Sequence, residues 1–235
     1  MAGPQPRQSS DGRDRAQVLE ELRKKLAPTA PKPKAAERPP LPTGWPELDQ
    51  LLGGGLPRGA VVEATGTAGR MSLACAALAG ATADGHLAAL VDGAGALDPR
   101  ALHDAGADLG QVLWCRPQEQ TVATVLRLAD ILLDNDAFAL VVLYAVGLEG
   151  RANSAAWLRL QQRAAQRGAA VLLLADRPLA GSFSAATVDL QRQRIIWQRA
   201  PGGRRVLLAT EVQAQLGRAR WQEGAGGSSR VRLDK

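Results

Sequence analysis

The chain has 235 residues, of which 46% are apolar and only 3% aromatic, and it carries a formal charge of +6; that length suits one sizeable domain with tails. Cys75 and Cys115 provide no disulfide framework, the N-terminus lacks the apolar core of a secretory signal, and no apolar run approaches the roughly 18 residues of a membrane span, so a soluble cytoplasmic protein is expected. The positive charge belongs to the ends, with +4 over residues 1–40, −5 over 41–191 and +7 over 192–235.

Residues 1–13 are polar and rich in Gly, Pro and Ser, and read as disordered. Residues 14–26 predict a short helix with Val18, Leu19, Leu22 and Leu26 on one face, a candidate partner-binding stripe. Residues 27–40 form a proline-rich linker. From 41 to 221 strands and helices alternate, which predicts an α/β domain with a mainly parallel sheet flanked by helices. Apolar runs at 60–64, 87–91, 112–115, 140–144 and 170–175 read as strands buried on both faces. Helical patterns fall at 72–82, 99–106, 121–134 and 153–166. Three further strands, at 187–190, 194–198 and 204–212, predict an antiparallel C-terminal section, with Pro201-Gly202-Gly203 as a turn. Residues 222–235 read as a disordered basic tail.

Between the first strand and the first long helix stands Gly66-Thr67-Ala68-Gly69-Arg70-Met71-Ser72. This is the setting of a phosphate-binding loop, G-x-x-x-x-G-K-[ST], whose backbone N–H groups cradle phosphates while lysine and a hydroxyl serve the phosphates and Mg²⁺. Gly66, Gly69, Arg70 and Ser72 are the remnants of such a loop. Two residues rather than four separate the glycines, Arg70 stands at the lysine, and Met71 stands at the hydroxyl position. All five lysines lie in the tails, so none can substitute from the core. The loop therefore predicts a nucleotide site that no longer works.

Around this loop stand Pro42-Thr43-Gly44, Leu48-Asp49, Gly53-Gly54-Gly55-Leu56-Pro57-Arg58-Gly59 and Glu63, and further on Asp92-Gly93-Ala94-Gly95-Ala96-Leu97-Asp98-Pro99, then Gly106, Asp108 and Leu109. The first set resembles the approach to the phosphate loop of the RecA family, and the second the segment after that family's second strand. The resemblance implies a catalytic glutamate where Ala94 stands, a metal-binding aspartate where Leu143 stands, and a γ-phosphate-sensing glutamine near Asp176. With Met71, Ala94 and Leu143 at those positions, the chain is expected to be no enzyme and to need no cofactor. The segments 145–153 and 178–186 are too short to match the family's mobile DNA-binding loops.

A short RecA-like domain with an erased nucleotide site, an N-terminal helix and a linker is similar to the ImuA family. Leu158-Arg159-Leu160-Gln161 and Arg177-Pro178 add to that likeness. The resemblance implies a non-catalytic adaptor in damage-induced (SOS) mutagenesis that assembles an error-prone translesion polymerase. Its implied partners are an ImuB-type Y-family polymerase homologue, RecA and an error-prone C-family polymerase subunit. The alternative is a nucleic-acid-binding accessory protein acting through basic C-terminal strands, where Arg192, Arg194, Trp197, Arg199, Arg218, Arg220 and Trp221 interleave arginine with tryptophan. Cys75, His86, His103 and Cys115 show no metal-ligand spacing, and no metal is expected.

Overall fold

The computed structural model describes residues 38–221 and 226–234. The expected N-terminal helix, with Val18, Leu19, Leu22 and Leu26, and most of the linker lie outside the described residues.

Eight strands form one sheet: β1 (Val61–Gly66), β2 (Leu87–Asp92), β3 (Val112–Cys115), β4 (Phe138–Tyr144), β5 (Ala170–Leu174), β6 (Ala186–Arg199), β7 (Arg205–Ala219) and β8 (Ser228–Asp234). Their spatial order is β3-β2-β4-β5-β1-β6-β7-β8. The first six run parallel, and β7 and β8 add antiparallel. The helices are α1 (Pro46–Leu52), α2 (Arg70–Ala83), α3 (Pro99–Asp104), α4 (Val122–Leu132) and α5 (Ser154–Arg167).

Two apolar layers explain the uninterrupted apolar runs of the central strands. Val62, Leu90, Leu140, Val142 and Leu172 pack with α1, α2 and α3 on one face, while Val61, Val91, Val141, Leu143 and Leu173 pack with α4 and α5 on the other. Strands covered on both sides have no polar alternation to display. From β6 onward one face is open: Ala186, Val188 and Leu190 are buried, whereas Thr187 and Asp189 are half-buried. Alanine at positions 74, 77 and 81 lets α2 lie close on the sheet.

Several expectations are corrected. Strand β3 is an edge strand with Leu113 exposed and Trp114 half-buried, not a strand buried on both faces. The two short strands expected at 187–190 and 194–198 are one strand, β6, kinked by a register shift between Arg192 and Arg194 that breaks its alternation. The tail expected to be disordered contains β8: Val231 is buried and Leu233 packs against the core, while Arg230 and Arg232 alternate with them. That period-two signal is short and adjoins a glycine-rich stretch. Helix α1 is a further element, started by Pro46 at its first turn and stopped by left-handed Gly53.

Candidate functional site

Because β1 to β6 are parallel, their C-terminal ends meet along one edge, where ligand sites of such sheets lie. Pairing of Ala64 with Leu174, and of Tyr144 with Leu174, brings the ends of β1, β4 and β5 side by side. Pairing of Asp92 with Tyr144 adds the end of β2. The loop residues Gly66, Gly69, Arg70 and Ser72, and Met71, Ala94 and Leu143, which are expected to stand at lost catalytic positions, all belong to this edge or the strands leading to it.

Only residues 67–69 connect β1 to α2. Gly66 is required there, because it has φ 115° and a Cβ would lie 2.0 Å from the Leu190 carbonyl oxygen. The Thr67 N–H donates to that carbonyl at 2.8 Å. Its hydroxyl donates to Gln191 Oε1 at 3.1 Å and accepts from the Arg192 N–H at 3.4 Å. The loop is thus pinned sideways to β6. At Gly69 a Cβ would lie 3.1 Å from Trp45 Cη2, so the buried indole covers the turn. Thr43 and Asp49 hold that indole: the Thr43 N–H donates to Asp49 Oδ1, and the Trp45 N–H donates to Thr43 Oγ1.

Arg70 fills the space between the strand ends. Its guanidinium donates to the Gly66 carbonyl and, at 3.3 Å, to the Ala175 carbonyl, and it pairs with Asp176 Oδ1 at 2.9 Å. Asp176 Oδ2 accepts from the Gly147 N–H at 2.5 Å. One arginine therefore ties the ends of β1 and β5, and through Asp176 the turn after β4. Its side chain is 14% exposed and that of Asp176 50%. Beside them, the Tyr144 phenol is pushed up by burial, with Asp92 and Asp176 adding and Arg70 opposing.

These residues do not fit a magnesium nucleotide. The N–H groups at the start of α2 have no side-chain cap, but a phosphate also needs a free cation and metal ligands; the Thr67 N–H and the Arg70 guanidinium are committed to carbonyls and to Asp176. Met71 packs its thioether against the core, Leu143 is fully buried among aliphatics, and Ala94 has no ionisable group. Asp92 is consumed: Oδ1 accepts from the Ala96 N–H, and Oδ2 from the Leu97 N–H and Trp114 Nε1. It holds the turn after β2.

Glu63 is a structural carboxylate. It lies fully buried on β1, and Oε1 accepts from the N–H groups of Leu179 and Ala180 in the crossover from β5 to β6. Its Oε2 has no partner. Burial pushes its carboxyl up, against the two backbone donors and Arg218.

The arginine and tryptophan positions divide into two groups. Arg192, Arg194, Trp197 and Arg199 lie on a hairpin formed by β6 and β7. Arg218, Arg220 and Trp221 lie at the opposite end of β7: at about 3.3 Å per residue, Arg218 is roughly 35 Å of strand from the Leu207 that faces Trp197 and roughly 20 Å from the Val212 that faces Arg192. Arg218 donates to the Gly181 carbonyl, the Ser184 carbonyl and Ser184 Oγ, and Arg220 to the Ser182 carbonyl. Those two arginines fasten the crossover, so the seven residues form no single patch. Trp45 and Trp157 are core residues. Sequence reading did not find Asp176 as the partner of Arg70, nor the roles of Trp45 and Gly147. The one trace of the first is that Arg70 stands where the resemblance implies a lysine and Asp176 near where it implies a glutamine.

Among the described residues no group of three or more His, Cys, Asp or Glu could hold a metal ion, and no helix is long and apolar enough to cross a membrane. The family model for the RecA N-terminal domain matches residues 32–184. Protein RecA of Frankia alni is 38% identical over 115 residues, covering 46% of this chain and 33% of that protein. Protein RecA of Mycobacterium marinum is 39% identical over 109 residues, covering 45% and 31%. The chain thus spans about a third of the length of the curated relatives it matches. The crystal structure of the RadB recombinase superposes with a TM-score of 0.62 at 21% identity, covering 82% of this chain and 95% of that one, which is a likeness of fold. With well over half of its length matched by the domain model, the chain belongs to the RecA N-terminal domain family.

Proposed function

We propose that this protein is a non-catalytic RecA-fold adaptor of the ImuA type, which helps assemble an error-prone translesion polymerase complex in the damage-induced (SOS) mutagenesis response. The observation that carries the reading is the placement of Arg70. A cation at the lysine position of a phosphate loop is turned into a tie between strand ends, and Asp176 neutralises it. Phosphoryl transfer depends on positioning, a metal and free cationic donors aimed at the developing charge. The loss of each of these leaves a rigid scaffold suited to protein contacts. The sequence likeness to ImuA supplies the partners: an ImuB-type Y-family polymerase homologue, RecA and the C-family polymerase subunit.

The test is quantitative co-capture of purified ImuB and RecA by the full chain and by residues 41–235. Capture of either partner is expected. Its loss on truncation, or with Leu22→Asp, would assign the contact to the apolar face of Val18, Leu19, Leu22 and Leu26, because a carboxylate in an apolar seam is costly. No capture of either partner by either form would reject the adaptor reading.

A further inference from the structure

The β6–β7 hairpin extends beyond its neighbours. Strand β1 pairs with β6 only as far as Leu190, and β8 pairs with β7 only from Ala209 to Gln215, yet β6 and β7 stay paired out to Arg199 and Arg205. The distal part is a two-stranded ribbon with both outer edges unpaired. Such a ribbon gains little stability by itself, and in a solvent-facing role its outer residues would be polar. Here exposed apolar residues stand among the polar ones: Ile195 is 38% exposed, Trp197 52%, Val206 45% and Leu208 38%. Apolar groups gathered on one projecting element mark an interaction surface.

Charge gives the sign of the partner. Residues 191–208 hold five arginines, Arg192, Arg194, Arg199, Arg204 and Arg205, and no acidic residue. All five are exposed, and none forms an ion pair among the described residues. Between this arm and the closed loop lies a cleft of about 410 Å³, bordered by Gly69, Arg192, Ile195, Trp197, Leu207 and Leu233. Ile195, Trp197, Leu207 and Leu233 give it an apolar side; its charged lining residues are Arg192 and Asp234, and Asp234 is already paired with Arg232, so the net positive charge comes from the arginines of the arm.

We propose that the arm is a docking surface for an acidic polypeptide segment that seats an apolar side chain against Trp197 in this cleft. Tryptophan and arginine are the residue types that dominate binding energy at protein contacts. A single-stranded nucleic acid is the less suited occupant, since it is held by successive aromatic platforms. Trp197 is the one aromatic residue between 191 and 208, and Ile195 and Leu207 beside it in the cleft are aliphatic. The inference rests on the adaptor reading and gives the chemistry of one partner. The two can fail separately, because nucleotide turnover and partner capture bear on the adaptor, whereas peptide binding bears on the arm.

The experiment selects a displayed library of random peptides on the immobilised full chain at low salt, then measures synthetic winners by fluorescence anisotropy. Winners with net negative charge and an aromatic or aliphatic anchor are expected. Trp197→Ala should weaken them at least about 30-fold, the equivalent of about 2 kcal/mol at a hot spot. Trp197→Phe should restore much of that loss. Joint Arg192→Gln, Arg194→Gln and Arg199→Gln should weaken binding and flatten its salt dependence. Trp197 is exposed, so unchanged thermal unfolding of its variants will separate lost contact from lost fold. No enrichment, uncharged winners, or affinities indifferent to these changes would overturn the proposal. Binding of a labelled oligothymidylate that these same changes abolish, with peptides unaffected, would overturn it in favour of nucleic acid.

Discussion

Replacing Arg70 with methionine separates a structural tie from a phosphate ligand. The substitution keeps an unbranched side chain of similar length while removing the donors to the Gly66 and Ala175 carbonyls and the partner of Asp176. The ion pair itself is the smaller loss. Asp176 is half exposed and keeps the Gly147 N–H, so it rehydrates, and a pair of this kind contributes about 1 kcal/mol or less. The carbonyls matter more, because they face a side chain that is largely shielded from water, and losing their donor costs about 1–3 kcal/mol. For a domain of this size that is a fall in Tm of roughly 2–12 °C. Thermal unfolding followed by circular dichroism reads it directly. Arg70→Lys should fall in between, since one ammonium cannot fork to three acceptors. Unchanged unfolding of Arg70→Met, together with the disappearance of an ATP-induced thermal shift present in the parent chain, would refute the reasoning and make Arg70 a ligand group.

Three other outcomes are expected. Burial raises the Glu63 carboxyl above its usual 4.5, so the folded chain binds a proton that the unfolded chain releases, and stability falls as pH rises from about 4.5 to the folded value. Glu63→Gln abolishes that component, so in urea unfolding its stability relative to the parent should improve over that window; an unchanged difference across pH would disprove the effect. Restoring consensus groups with Arg70→Lys and Met71→Thr should give no ATP hydrolysis in a phosphate-release assay, because the loop stays two residues short and Leu143 supplies no carboxylate; measurable turnover would show that geometry was not limiting. Val231→Asp drives a charge into the buried side of β8 and should cost at least about 2 kcal/mol by urea unfolding. A free tail would show no change.

Much of the parallel half of the sheet was legible because its chemistry is local. Apolar runs such as 140–144 and 170–174 have nothing but burial to explain them, and the helix starts at Asn153 and Thr121 carry caps that accept from Ala156 and Thr124. The expectation that Met71, Ala94 and Leu143 stand at lost catalytic positions comes from a motif, in which each is a single side chain in a fixed frame. What the sequence did not display depends on register between distant strands. Apart from the two departures from the expected motif, at Arg70 and Asp176 themselves, nothing near Arg70 points to Asp176, which lies 106 positions away and arrives only when β1 pairs with β5. Strand β8 was obscured because Ser228 and Ser229 blend into the glycine-rich stretch before them. Arg218 and Arg220 resembled Arg192 and Arg194 in composition, and only the length of β7 separates a crossover clamp from an exposed arm.

The proposed absence of catalysis is tested most directly by phosphate release from ATP and Mg²⁺ by the purified full chain, with and without single-stranded DNA. Release no greater than that of a matched Arg70→Met sample is the expected result. Sustained release that follows the protein through purification, rises with single-stranded DNA and vanishes in Arg70→Met would contradict it.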